Sequence, residues 1–157
     1  MLILFTPKEY DACLIATESR PIIPEMKNID DKSNISFMRS VDDHKRLREY
    51  LESGKAKKIT IFGMNPDSYE MLSTIRTEYP EIEVSVVNPD KQSWTKTYFG
   101  HQVSSALKQM HENRGVKFET GRKFIRFDPK EDNPNEIGKV NLMGASLETD
   151  YVLLFPS

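Results

Sequence analysis

Two spacings of hydrophobic residues alternate through the middle of the chain. Short apolar runs at 59–62 and 84–87 are rich in β-branched residues, which is typical of strands buried on both faces. Apolar side chains at helical spacing follow each run, and the two helices that they predict end at Pro80 and at Gly115. Together with the strand that comes next, residues 59–119 are predicted to form β-α-β-α-β, the order of a parallel sheet.

Further elements precede and follow this region. The capping-box pattern at 40–43 predicts a helix that ends at Gly54. Residues 123–127 and 139–142 predict short strands around an acidic loop, and 151–155 predict a last apolar strand. We therefore expect an α/β fold, with a parallel sheet, flanking helices and a small antiparallel β-meander.

The first 34 residues differ in character from the rest. We predict a strand over 1–5 and a second strand over 10–15, followed by a proline-containing stretch. Residues 25–34 are polar and are interpreted as a surface loop or linker. The chain is accordingly divided into an N-terminal arm, 1–34, and a domain, 35–157.

The third predicted helix and its surroundings supply several candidate side chains. One face of this helix carries Val103, Ala106, Leu107 and Met110. The residues His44, His101 and His111 lack the spacing of metal ligands, so we expect them on the surface or near helix ends, and we expect no metal site. Trp94 and Tyr98 follow the second strand and are suited to stacking on a base, contacting a partner or packing in the core.

Composition narrows the classes of function. The 157 residues hold 22 Lys and Arg against 24 Asp and Glu, whereas a nucleic-acid-binding protein usually has a strong basic excess. No apolar run approaches the roughly 18 residues of a membrane span.

Cys13 is the single cysteine, which excludes an internal disulfide and favours a reducing, intracellular compartment. Its apolar surroundings in the sequence predict a buried and inert thiol.

Three segments resemble those of a known family. Residues 10–21 resemble the Y-D-x-L-L-I-A-T-G-S-x-P segment of FAD-dependent pyridine nucleotide oxidoreductases. Residues 39–47 are similar to the L-R-(S/T)-x-x-D helix that precedes the NADH domain of that family, and 144–152 are similar to its D-G-x-x-x-x-D-x-V exit strand. The resemblance is to the branch of apoptosis-inducing factor, ferredoxin reductases and monodehydroascorbate reductase, because the disulfide-reducing branch needs paired cysteines.

This resemblance implies a Rossmann-like NAD(P)H-binding domain and assigns candidate cofactor-binding residues. They are Gly63, Met64, Asn65 and Ser68 in the phosphate turn, and Asn88 at the end of the next strand. The family's turn is G-x-G-x-x-G, and the matching positions 63, 65 and 68 keep one glycine of three. Asn88 stands where the family places Glu or Asp for the ribose hydroxyls, so the motif is degenerate at both points.

The turn also has the features of a general helix start. Asn65 can cap the helix, Pro66 suits its first position, and Asp67 puts a carboxylate where a phosphate would meet like charge. Glu18 stands where the family has a glycine on the flavin side, and the resemblance implies no complete flavin site within residues 1–157. We expect no tightly bound cofactor: NAD(H) is expected to bind weakly, and FAD only together with a partner chain.

Three functions follow as hypotheses. The first is a degenerate FAD/NAD(P)-binding oxidoreductase-like domain, a pseudoenzyme that serves as a structural or interaction subunit of a larger assembly. The second is the NAD(P)H-binding part of a split flavin-dependent oxidoreductase whose flavin half lies on another chain. The third is an unrelated nucleotide-sensing or flavodoxin-like domain. We identify no catalytic residue and expect a protein partner; the resemblance favours mitochondria and also allows the cytoplasm.

Overall fold

The structure is a computed structural model that describes residues 8–18, 22, 25–29, 32–91 and 94–155. The strand predicted over 1–5 and the side chain of Trp94 lie outside the described residues. The described helices and strands are β1 (Ile35–Ser36), α1 (Val41–Glu52), β2 (Lys58–Phe62), α2 (Pro66–Glu78), β3 (Glu83–Asn88), α3 (Trp94–Glu112), β4 (Lys117–Thr120), β5 (Phe124–Pro129), β6 (Ile137–Leu142), β7 (Ala145–Glu148) and β8 (Tyr151–Leu154).

The strands form two sheets, as the apolar runs predict. A five-stranded sheet has the order β1-β8-β2-β3-β4, and every neighbouring pair in it is parallel. The strands β5, β6 and β7 form a separate antiparallel sheet. The predicted Rossmann-like α/β fold with an antiparallel meander is confirmed.

Both faces of the parallel sheet are covered, because successive side chains of a strand point to opposite faces. On β2, Ile59 and Ile61 belong to the apolar cluster that the helices cover. Phe62 belongs to the second cluster, where it packs edge-on against the Phe127 ring of the meander. Burial on both faces explains why the strands are unbroken apolar runs in the sequence.

Local capping signals set the start of α1 as predicted. Ser40 accepts a hydrogen bond from the Asp43 backbone N–H, and the Asp43 carboxylate accepts one from the Ser40 backbone N–H. Burial alone would raise the pKa of Asp43, but the hydrogen bonds from Ser40, Arg39 and Arg46 outweigh it and hold the pKa below its usual value. The helix runs from Val41 to Glu52, with Gly54 just beyond its end.

The arm does not contain the strand predicted over 10–15. Residues 8–18 form no helix or strand, and the side chains of Tyr10, Leu14 and Ile15 are exposed. The thiol of Cys13 is exposed as well, so the prediction of a buried thiol is wrong. The apolar run at 10–15 pairs with none of the strands in the described residues, and an apolar pattern does not by itself establish strand pairing.

Helix α3 has two features that the sequence did not predict. Its backbone breaks at Gly100, which has φ 80° and ψ 172°, and after the break Val103 and Met110 are 46% and 41% exposed. His111 lies in the last turn of the helix, near its end as expected, but it is buried, with its ring 5.6 Å from the ring of Tyr69 on α2. Burial, with a smaller contribution from Arg114, lowers the pKa of His111 below its ordinary value.

The segment before β1, predicted as a loop or linker, is held against the domain by a buried asparagine. The Asn34 side chain donates to the Ile137 carbonyl at 2.8 Å and to the Asp150 carbonyl at 2.7 Å. Its Oδ1 atom accepts from the Ile137 N–H at 2.7 Å. One amide thereby joins the start of β1, β6 and the turn before β8.

None of the helices in the described ranges is both long and apolar enough to cross a membrane.

Candidate functional site

The candidate cofactor residues lie at the carboxyl edge of the parallel sheet. Gly63, Met64, Asn65 and Ser68 follow β2, and Asn88 is the last residue of β3. Because β2 and β3 are parallel neighbours, these strand ends lie side by side, and the Gly63 N–H donates to the Val87 carbonyl at 2.9 Å. Ligands of open parallel sheets bind at such an edge.

The glycine at 63 is required by the chain's own backbone. Its φ is +110°, a conformation that residues with a Cβ rarely adopt. A Cβ atom built at this position would lie 2.6 Å from the carbonyl oxygen of Phe155. Phe155 is held there because its N–H donates to the Phe62 carbonyl at 2.9 Å. Gly63 therefore has a structural reason to be glycine that involves no ligand, and sequence reasoning did not identify Phe155 as its neighbour.

The amino end of α2 uses its own polar groups. Asn65 is the N-cap, and its Oδ1 accepts from the Ser68 N–H at 2.9 Å. Pro66 occupies the first helical position and has no N–H. Two of the first three helical positions therefore offer no N–H to a ligand. The exposed Asp67 in the first turn adds a negative charge at the positive end of the helix dipole.

The other two residues of the turn point into the protein. Met64 is buried in the cluster beneath the helices. Ser68 is buried, and its hydroxyl donates to the Asn65 carbonyl at 2.7 Å. Where the family pattern has glycine, this chain therefore has an Asn65–Ser68 pair whose side chains bond to each other's backbone. The Ser68 N–H is therefore already engaged within the turn.

Asn88 also bonds to nearby backbone. Its side-chain amide donates to the Asp90 carbonyl at 2.8 Å, which closes the turn after β3. The Asn88 carbonyl accepts from the Gly121 N–H at 2.9 Å, and a Cβ built on Gly121 would lie 2.6 Å from Cγ of Lys91. The Asn88 amide is uncharged, so it accepts hydrogen bonds from ribose hydroxyls less strongly than a carboxylate would.

A nicotinamide dinucleotide fits this edge poorly on two counts. The diphosphate would face a capped helix start with a carboxylate beside it, and the ribose would face an amide already engaged in a turn. The described residues contain no group of three or more His, Cys, Asp or Glu side chains placed to hold a metal ion. We identify no nucleophile or proton-transferring pair at this edge among the described residues.

Comparison with known proteins places the chain in a class. The sequence model of the pyridine nucleotide-disulphide oxidoreductase family matches residues 6–155, and the chain belongs to that family.

Individual relatives agree with this class. Over 126 residues the chain is 29% identical to monodehydroascorbate reductase of Solanum lycopersicum, an alignment that covers 79% of the chain and 28% of the relative. In fold it is similar to the reductase in a covalent putidaredoxin reductase–putidaredoxin complex, with a TM-score of 0.78 at 18% identity over 94% of the chain and 35% of that protein. It is also similar to a water-forming NADH oxidase of Lactobacillus brevis bound to NADH, with a TM-score of 0.72 at 17% identity over 88% of the chain and 28% of the oxidase. The chain thus spans about a third or less of the length of these relatives.

Proposed function

We propose that this chain is a degenerate domain of the NAD(P)H-binding type, in which its own residues block the phosphate site. We propose further that it acts as a non-catalytic structural or interaction unit. The observation that carries the proposal is the self-capped start of α2, with Asn65 bound to the Ser68 N–H and a proline at the first helical position. Of the first three helical positions, Asp67 alone then has an N–H left for the diphosphate of NAD(H), and its carboxylate repels phosphate, so we expect weak affinity.

Calorimetric titration with NADH tests this proposal directly. The variant Pro66→Ala/Asp67→Ala restores one N–H and removes the carboxylate, and both altered side chains are exposed, so the fold should tolerate the change. We expect no measurable heat for the wild-type chain at millimolar NADH, and at least tenfold tighter binding by the variant. The matched control is Asp42→Ala, which removes an exposed carboxylate from the second position of α1, the helix that follows β1 and not β2.

Two results would contradict the proposal. Micromolar NADH binding by the wild-type chain would show that the capped helix start still accepts a diphosphate. Equal gains from the double variant and from Asp42→Ala would show that net charge, and not the site at Asn65, controls the affinity. Ligand-observed NMR with NADH extends the measurement to affinities too weak for calorimetry.

Exposed apolar residues within 8–18 favour a second candidate, the NAD(P)H-binding part of an oxidoreductase whose flavin half lies on another chain. Leu14 and Ile15 are exposed apolar residues inside the stretch that the family sequence model matches. A partner that covered them would remove apolar surface from water. Isolation of the chain from its native source, followed by a flavin absorption spectrum, distinguishes the candidates: a yellow complex supports the split enzyme, and a colourless one supports the structural unit. Subcellular fractionation of the same source tests the proposed mitochondrial location.

A further inference from the structure

A cavity lies at the opposite end of the parallel sheet from the candidate cofactor residues. Its volume is about 420 Å³, and its lining comes from the beginnings of β2, β3 and β4 and from the hairpin of β6 and β7. Ligand pockets in proteins range from roughly 300 to 1,000 Å³, so a small metabolite fits a cavity of this size. This space is here called the hairpin cavity.

The sheet presents a row of polar side chains on the face that the meander covers. Ser85 lines the hairpin cavity, and it pairs in register with Thr60 on β2 and with Lys117 on β4. Residues that pair across neighbouring strands point to the same face of a sheet, and side chains two apart on one strand also share a face. That face is the one to which Phe62 and Val87 belong, beneath the meander. Two hydroxyls and an ammonium group therefore cross three strands side by side.

The two hydroxyls of this row have no hydrogen-bond partner in the part of the chain that the structure describes. Thr60 is 1% exposed, and its Oγ1 atom is buried and unsatisfied. Ser85 is half-buried, and its Oγ atom bonds to no described residue. Valine would fill either position without leaving a hydroxyl unsatisfied, and buried polar groups in proteins are nearly always hydrogen-bonded. A ligand in the cavity accounts for these hydroxyls, whereas packing does not.

The charged groups of the hairpin cavity leave one positive charge in excess. Lys58 is paired with Glu148, and the Nζ atom of Lys117 lies 3.0 Å from a carboxylate oxygen of Glu83. Lys139 on β6 also lines the cavity, but no carboxylate within the described ranges lies at ion-pair distance from its ammonium group. Two neutralised pairs and one remaining cation favour an anion over a cation.

We propose that the hairpin cavity binds a small organic anion that carries one carboxylate or phosphate group. Lys139 supplies the charge-assisted hydrogen bond to that group, and the hydroxyl of Ser85 bonds to a polar atom of the same ligand. The carboxylates of Glu83 and Glu148 repel ligands of higher negative charge, such as a dinucleotide. Because the cavity lies at the amino end of the strands, this proposal does not depend on whether NAD(H) binds at the other end.

NMR titration of the isotope-labelled full chain with inorganic phosphate tests the proposal. We expect the backbone amide signals of Thr60, Ser85 and Lys139 to shift and to reach saturation at millimolar phosphate. Sodium chloride at the same ionic strength should leave these signals unchanged. A parallel titration with acetate separates the two chemistries, because the probe with the lower Kd identifies the group that the cavity prefers.

Two variants and a matched control assign the response to the cavity. Lys139→Gln removes the unpaired cation and should weaken binding of the preferred probe about threefold or more. Ser85→Ala removes a hydroxyl that has no partner in the described chain, so it should weaken binding without lowering the Tm. The control Lys45→Gln removes an exposed lysine from α1, on the face of the sheet that the helices cover, and should leave the Kd unchanged. Circular dichroism establishes that all three variants are folded.

Either of two results overturns the proposal. Signal shifts with phosphate and acetate that are no larger than those with sodium chloride would show that the cavity binds neither group. Equal weakening by Lys139→Gln and Lys45→Gln would show that the net charge of the protein, and not the hairpin cavity, controls the response.

Discussion

Replacement of Gly63 by alanine should destabilise the domain in the absence of any cofactor. A Cβ at this position would lie 2.6 Å from the Phe155 carbonyl oxygen, and the backbone φ of +110° disfavours any residue with a Cβ. Because the obstructing atom belongs to backbone that is itself hydrogen-bonded to Phe62, it cannot move aside like the end of a flexible side chain. The variant must therefore distort the link between the ends of β2 and β8.

The magnitude follows from three contributions. An unfavourable backbone conformation costs about 1–3 kcal/mol. Forcing an extra methyl group into a filled space costs about 1–3 kcal/mol. Loss of unfolded-state freedom from Gly to Ala offsets these by about 0.4–1 kcal/mol. The sum predicts a loss of about 1–6 kcal/mol in the free energy of unfolding, and a chain of this size loses about 2–4 °C in Tm for each kcal/mol.

Gly54→Ala separates the backbone cost from the collision. Gly54 also has a positive φ, +69°, but a Cβ built there meets nothing within 4 Å. Urea unfolding of both variants, followed by circular dichroism, should show Gly63→Ala to be less stable than Gly54→Ala by at least about 1 kcal/mol. Equal losses for the two variants would refute the reasoning, because the contact with Phe155 would then have no energetic consequence and Gly63 would need another explanation.

Three further changes have defined outcomes. Asn34→Ala strips partners from buried backbone groups of β6 and of the turn before β8, and it should cost about 2–4 kcal/mol in urea unfolding; a loss below about 0.5 kcal/mol would contradict this. Asp43→Ala should lower the free energy of unfolding near neutral pH more than Asp42→Ala, because hydrogen bonds to the Asp43 carboxylate outweigh burial and depress its folded-state pKa. The difference between the two variants should vanish as pH falls below the usual carboxyl range. A difference that does not change with pH would contradict this prediction. Burial lowers the pKa of His111, so the stability of the wild-type chain should be full above the ordinary histidine pKa of 6.5 and should decline as pH falls below it. Measurements of Tm against pH should show that His111→Phe removes this decline and that the control His101→Phe keeps it.

Local signals in the sequence explain most of the fold. The capping box at Ser40 and Asp43 and the proline at the start of α2 act within a few residues, so the structure confirms the helix starts that they predict. The apolar runs of β2 and β3 identify a parallel sheet because both of its faces are covered.

Long-range contacts account for what the sequence did not predict. The need for glycine at 63 depends on the carbonyl of Phe155, and the burial of His111 depends on the ring of Tyr69 on another helix. In α3 the helical spacing was recognised, but which side of the helix faces the domain depends on the break at Gly100 and on packing against α2. The assignment of Gly63, Asn65 and Asn88 to a cofactor site came from resemblance and stays a prediction.

The position of β8 has a consequence for how the protein is made. This strand is the last of the described elements to leave the ribosome, yet it lies between β1 and β2 in the sheet. Until β8 has been synthesised, the edges of β1 and β2 that pair with it stay unpaired. Their apolar side chains are then accessible to chaperones and prone to aggregation. A nascent chain arrested before Tyr151 should consequently be sensitive to protease throughout, since its sheet lacks an interior member.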